Sequence, residues 1–197
     1  MKLIFATHNS NKAFEIQKLL PEHFQIVTLN DIDFQEEIPE NEPTIEANSA
    51  FKAQFIFNKF NLNCFADDTG LEIEALNGKP GVYSARYAGE ERNSDANINL
   101  VLEELKGVEN RNARFKTVIT LIIHGEQYQF EGIVDGTIIK EKRGSNGFGY
   151  DPIFIPEDES KTFAEMNLNE KNKFSHRARA FEKMIAFLKS NSFKYPN

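Results

Sequence analysis

Residues able to do chemistry cluster in a few places along the chain. The stretch Phe5 to Lys12 runs from an apolar strand end through Ala6, Thr7, His8, Asn9, Ser10 and Asn11 into a helix start. A helix start presents backbone N–H groups that attract anions. Thr7 and Asn9 add hydrogen-bond donors, and Lys12 adds a point charge in the first turn. A capped helix with a surface lysine would carry the same residues. However, a lysine there opposes the helix dipole at a cost of roughly 0.3–1 kcal/mol, which an anion would offset. A second cluster sets Asp67 and Asp68 side by side before Thr69 and Gly70. Neighbours in an extended strand point to opposite faces, whereas in a turn both can converge. A hard cation such as magnesium prefers carboxylate oxygens, and the plainer alternative is a solvated acidic turn capped by Thr69. The acidic loop "EEIPENE" offers a further carboxylate from among Glu36, Glu37, Glu40 and Glu42.

A third cluster is "RGSNGFGYDP". Gly144, Gly147 and Gly149 allow a backbone to approach a ligand closely, while Phe148 and Tyr150 offer ring faces on which a flat base can stack. The alternative is a hairpin loop with one aromatic side chain tucked into the core. The last cluster is "EKNKFSHRARAF". With Ser175 as N-cap, His176 and Arg177 fall in a first turn, again cations at the wrong end of the dipole. With a helix beginning near Asn169 they lie mid-helix, His176 facing away from the apolar stripe. His124 and His23 show no partner pattern and read as structural or surface residues. Taken together, the clusters supply two cationic helix starts, an acidic metal candidate and an aromatic glycine loop. Those are the parts that hold a nucleoside triphosphate with a magnesium ion.

Strands and helices, mixed but not in strict alternation, must position these clusters. "KLIFA" reads as a buried strand, followed by a helix over "KAFEIQKLL" with Ala13, Ile16 and Leu20 on one face. "QIVTL" reads as a second strand, and a helix runs from about Thr44 to Phe60. "NCFAD" and "LEIEAL" read as short strands on either side of an Asp-Asp turn. Ser94 caps a helix over "SDANINLVLEEL", with Asp95 complementing the dipole. "ARFKTVITLIIHG", "QYQFEGIV" and "GTIIKEK" read as three consecutive antiparallel strands bounded by glycines. The last helix carries Phe174, Ala178, Phe181, Ile185 and Leu188 on one face. The expected fold class is α/β, a long mixed sheet flanked by helices.

Composition narrows the choice further. At 197 residues the chain fits a single domain, or one with two lobes. A net charge of -7 argues against a protein that coats nucleic acid by charge, yet permits a local basic pocket for a small anion. Cys64 is the only cysteine, which excludes an intramolecular disulfide and a multi-cysteine zinc site. No apolar run reaches the length of a signal-peptide core or a membrane span, so the expected location is the cytoplasm.

The stretches "ATHNSNK", "FADDTGLEIEALNGKPGVYSARYAG", "GSNGFGYDPIF" and "EKNKFSHRARA" resemble, in order and spacing over nearly the whole chain, the inosine triphosphate pyrophosphatase family. The resemblance implies a single two-lobed domain over residues 1–197 with a cleft between the lobes, usually as a homodimer. It implies magnesium-dependent hydrolysis of ITP, dITP and XTP to the monophosphate and pyrophosphate. By motif position, Thr7, His8, Asn9, Ser10, Asn11 and Lys12 would cradle phosphates, and Lys52 would add charge. Asp68 would be general base and metal ligand, Glu40 a second ligand with Glu42 as its rival, and Thr69 a substrate contact. Phe148, Gly149, Tyr150, Asp151 and Lys171 would hold the nucleoside, with His176 and Arg177 at the 6-oxo edge of the base. Where the family usually has Glu-Asn, this chain has Ala47-Asn48. Two rival readings are a non-catalytic purine nucleotide-binding module and an aspartyl-phosphate phosphatase. The latter places two aspartates one residue apart directly after the first strand, unlike Asp67 and Asp68.

Overall fold

The apolar run that opens the chain becomes an inner strand. In a computed structural model describing residues 2–19 and 24–190, β1 (Lys2–Phe5) lies parallel to both β2 (Gln25–Thr28) and β3 (Cys64–Ile73). Together with β4 (Asn112–Ile123), β5 (Glu126–Ile138) and β6 (Phe154–Pro156) they form a six-stranded sheet in the order β2-β1-β3-β4-β5-β6. Because β6 runs antiparallel to β5, the sheet is mixed. The helices are α1 (Ser10–Gln17), α2 (Ile45–Phe60), α3 (Ser94–Glu104), α4 (Leu168–Lys171) and α5 (His176–Ser190). This is the expected α/β class.

Two compact units share the chain. The first comprises Met1–Asp68, Thr117–Gly132 and Arg177–Asn197; the second comprises Thr69–Lys116 and Ile133–His176. In the first unit, the period-two alternation of a strand sorts side chains into two layers. Phe65 of β3 joins Phe5, Ile16 of α1, and Phe181 and Met184 of α5 in one apolar cluster. Its neighbours Cys64 and Ala66 join Ala53 and Ile56 of α2 in the other. Phe5 and Phe65 are register partners across β1 and β3 and stack with centroids 4.4 Å apart. The second unit packs Leu71 and Ile73 of β3 against Ile98 and Val101 of α3, with Phe115, Phe154 and Phe163 in the same cluster.

Several local expectations change. Residues 64–73 form one continuous strand, so Asp67 and Asp68 occupy an extended strand and not a turn. Three expected strands after residue 113 are two, because β5 continues through Gly136. That glycine is no strand boundary. A Cβ there would run into the carbonyl oxygen of Ile155 and come within 2.6 Å of the Phe154 ring, so β6 can approach only a glycine. The β4–β5 hairpin turns at His124 and Gly125, with φ of 52° and 83°, the two positive values that a two-residue type I′ connection demands. Asn93, not Ser94, caps α3, accepting from the Ala96 amide. Phe174 precedes α5 and packs with the second unit's core, while Phe181, Ile185 and Leu188 pack in the first. The helix expected from about Thr44 to Phe60 is α2, with Thr44 as its N-cap, accepting from the Ala47 amide. The expectations for Leu20 and His23 lie outside the described residues. Among the described residues no helix is long and apolar enough to cross a membrane.

Gly136→Ala should destabilise the protein by about 1–3 kcal/mol, the usual range for forcing a methyl group into a filled site. Urea unfolding reads the change, and an unaltered midpoint would show that β6 is not held where the sheet places it.

Candidate active site

The alternation along β3 decides what the two aspartates do. Asp67 shares the parity of Phe65 and enters the layer of α1 and α5, where its carboxylate meets Lys12 Nζ at 3.0 Å and Arg177 Nε at 3.3 Å. Asp68 shares the parity of Ala66 and enters the layer of α2, where Lys52 Nζ lies 3.1 Å from its Oδ1. The same ammonium is 2.8 Å from Glu40 Oε1. Glu42, the rival, offers its backbone N–H to Asn48 Oδ1 instead. Glu40 is therefore the carboxylate that arrives beside Asp68. Among the described residues, Asp68 Oδ2 is buried with no hydrogen-bond partner.

Lys12 and Arg177 sit where the sequence places them, in the first turns of α1 and α5. The separate four-residue α4 ends before residue 172, which rules out a helix running through both segments. The anion that offsets their unfavourable position is internal. Asp67 serves both, and the Arg177 guanidinium also pairs with Glu15 of α1. Glu15 was not foreseen; it is 5% exposed on a helix face shared with Ile16, and a buried carboxylate of that kind implies a cationic partner. Asn9 caps α1 by accepting from the Asn11 and Lys12 amides, so those two N–H groups are already used. Thr7 Oγ1 accepts from the Asn9 amide. The His8 ring is engaged with Glu36 and Asn30.

Burial and charge act against each other throughout this unit. Burial alone would raise the Asp67 pKa, but Lys12, Arg177 and Lys52 outweigh it and hold the carboxyl at about 2. For Asp68 the balance reverses: burial dominates the pull of Lys52 and Lys12, and the carboxyl stands above its ordinary value. Burial would lower Lys52, yet Asp68, Glu40 and Asp67 raise it, so the ammonium stays charged.

The second unit holds its own group. Lys171 Nζ is buried 2.6 Å from Asp151 Oδ2 and lies 5.3 Å from the Phe148 ring centroid. Asp151 Oδ2 also accepts from the Phe148 amide at 3.0 Å, folding the glycine loop over the carboxylate. A Cβ at Gly147 would collide with that same oxygen, and φ there is 73°, so the position requires glycine twice over. Tyr150 is the aromatic tucked into the core, its hydroxyl donating to the Ser84 carbonyl. Its expected ring face for a ligand is thus used in packing, leaving half-buried Phe148 as the stacking candidate. His176 is buried and stacks on Phe115 with centroids 4.7 Å apart. Thr69, where the second unit begins, and Gly149 of the glycine loop are both half-buried.

The sequence model of the Ham1 family matches residues 3–187. A Flavobacterium johnsoniae protein named dITP/XTP pyrophosphatase is 54% identical over 188 residues, covering 95% of this chain and 98% of that protein. A Bacillus subtilis protein of the same name is 48% identical, covering 95% and 96%. Among solved structures, the Staphylococcus aureus Ham1 protein superposes with a TM-score of 0.87 at 36% identity, covering 96% of this chain and 99% of that one. A HAM1 protein from Coxiella burnetii gives 0.88 at 36% identity, with the same coverage.

The depressed Asp67 pKa carries a sign. Its folded value lies below the unfolded value of about 3.9, so its stabilisation is present above that value and is lost as pH falls toward 2. The stability gap between wild type and Asp67→Asn should therefore narrow by up to about 2 kcal/mol between about pH 6 and about pH 2. Urea unfolding across that range checks it, and a gap independent of pH would contradict the ion pairing.

Proposed function

The chain belongs to the Ham1 family, and on that premise we propose that it hydrolyses the deaminated purine nucleotides ITP, dITP and XTP to the monophosphate and pyrophosphate. The observation that carries the reading is the buried, unpartnered Oδ2 of Asp68 beside the Lys52–Glu40 pair. The ion pairs around Asp67 and Asp68 join seven ionisable side chains of the first unit. Lys12, Lys52 and Arg177 give three positive charges against four carboxylates, Glu15, Glu40, Asp67 and Asp68, a balance of -1. A triphosphate entering such a site needs further positive charge.

A divalent cation fits that need. Asp68 Oδ2 and Glu40 are hard oxygen donors, and magnesium is typically held by one or two carboxylates, with waters and substrate phosphates completing its shell. When bound, magnesium neutralises phosphate charge and lowers the pKa of water. The protein's own groups do the rest. Lys12 and Lys52 contribute charge toward the phosphates, with Thr7, Asn9, Ser10 and Asn11 as hydrogen-bonding groups of the turn. Asp68, raised in pKa by burial, accepts the proton of the attacking water. Thr69 is assigned to substrate contact.

In the second unit, Phe148 is assigned to stack on the base, with Gly149, Asp151 and Lys171 setting its position and Tyr150 fixing the loop from the core. His176 and Arg177 are assigned to the 6-oxo edge. A guanidinium offers five N–H donors in a fixed fork. Donors aimed at O6 are left unmet by a 6-amino group, a mismatch that discriminates strongly. The homodimer implied by the resemblance belongs to this same reading, and sedimentation of the pure protein tests the assembly.

With magnesium, the pure protein should release pyrophosphate from ITP, dITP and XTP and little from ATP or GTP, and a chelator should stop the reaction. Orthophosphate as product, or tight ITP binding without turnover, would overturn the reading in favour of a phosphatase or a binding module. Asp68→Asn should lower turnover roughly 10²–10⁴-fold, the range for a lost general base, while equilibrium nucleotide binding stays near wild type. Wild-type turnover in that variant would remove Asp68 from the chemistry.

A further inference from the structure

The phosphate-binding turn contains a residue whose side chain addresses something else. His8 sits between Thr7 and Asn9, yet its Nε2 donates to the carbonyl oxygen of Glu36 at 3.1 Å, and its Nδ1 lies 3.4 Å from Asn30 Oδ1. A carbonyl can only accept, so Nε2 carries the ring proton. The imidazole also lies parallel to the Phe34 ring, 5° apart in plane with centroids separated by 6.1 Å. Phe34 is in turn buried edge-on against Phe60 at the end of α2, with Lys59 Nζ 4.8 Å from its ring and paired with Glu36. One imidazole thus meets a segment of the chain through the Glu36 backbone and the Phe34 ring at once.

What that segment delivers gives the grip its meaning. Residues 34–42 form neither helix nor strand, so their position depends on side-chain and tertiary contacts and not on a hydrogen-bond ladder. Glu40 lies within them, and it is the carboxylate that reaches Lys52 beside Asp68. A ligand carried on an irregular loop is placed no better than its supports allow.

We infer that His8 is a positioning residue, tying the turn of Thr7, Asn9 and Lys12 to the loop that brings Glu40 to Asp68. This rests on the reading of the site as a metal-dependent nucleotide hydrolase and adds to it a role through Glu40 in place of a direct phosphate contact. The ring sets the spacing between the two halves of the first unit's site. Being exposed, it can be replaced without opening the core.

Two measurements test this. In the absence of nucleotide and metal, the amides of residues 34–42 should exchange with deuterium faster in His8→Ala than in wild type, with β4 and α5 unchanged. In turnover of ITP, His8→Ala should raise the magnesium concentration for half-maximal rate by roughly 10- to 100-fold, the usual effect of losing a support behind a metal ligand. The KM for ITP should move far less. His8→Gln, which keeps an N–H donor for the Glu36 carbonyl, should recover most of the loss. In a Glu40→Gln background, His8→Ala should add little further loss, because both changes act on one element. An additive loss, or a loss confined to KM, would overturn the proposal by placing the ring on the nucleotide. Unchanged exchange with unchanged magnesium dependence would overturn it by leaving the ring idle. A wild-type protein that makes no pyrophosphate would sink the hydrolase reading instead, while the exchange comparison would still report on the tether.

Discussion

A carboxylate taken out of water must be met by a cation or stay protonated, and β3 buries two in succession. Because successive side chains on a strand face opposite ways, Asp67 and Asp68 pair at contact distance with different cations, although Lys12 and Lys52 act on both at longer range. Asp67 recruits Lys12 and Arg177 from the helices on its face, and Asp68 recruits Lys52 from the helix on the other. The first unit's site is assembled around that division. Desolvating so many charges brings little net stability compared with an apolar core of the same volume. Their presence is better explained by chemistry, and the two faces divide the labour. On one, Asp67 is saturated with cations and holds helix starts in place. On the other, Asp68 keeps an oxygen without a partner.

Lys52 shows how little such a site can be altered. Its ammonium lies between Glu40 and Asp68, and those carboxylates in turn keep it charged despite burial. Glu40 comes from an irregular loop, Lys52 from the middle of α2, and Asp68 from the strand. Rigid elements fix two of the three, which leaves the loop as the part that needs support.

The fold class and the helix over Ile45–Phe60 were legible because periodicity is a local property. The Asp-Asp turn was not. Two aspartates followed by Thr-Gly carry turn chemistry, and only pairing along β3 and the cations of three helices override it. Gly136 misled in the same way: its glycine answers to the backbone of β6, a neighbour far along the chain, not to a turn. Lys12 and Arg177 at helix starts correctly implied nearby negative charge. They could not say that Asp67 and Glu15 supply it, since the ion pairs of Arg177 span 110 and 162 residues. Phe148 and Tyr150 were indistinguishable as ring faces until one proved buried with its hydroxyl on Ser84.

The most direct measurement is a crystal structure of Asp68→Asn with magnesium and dITP, in which slow turnover keeps the nucleotide intact. The triphosphate should lie against Thr7 to Lys12, with Glu40 and the side chain at position 68 holding the magnesium ion. A triphosphate bound away from those residues, with position 68 and Glu40 touching neither ion nor phosphate, would contradict it.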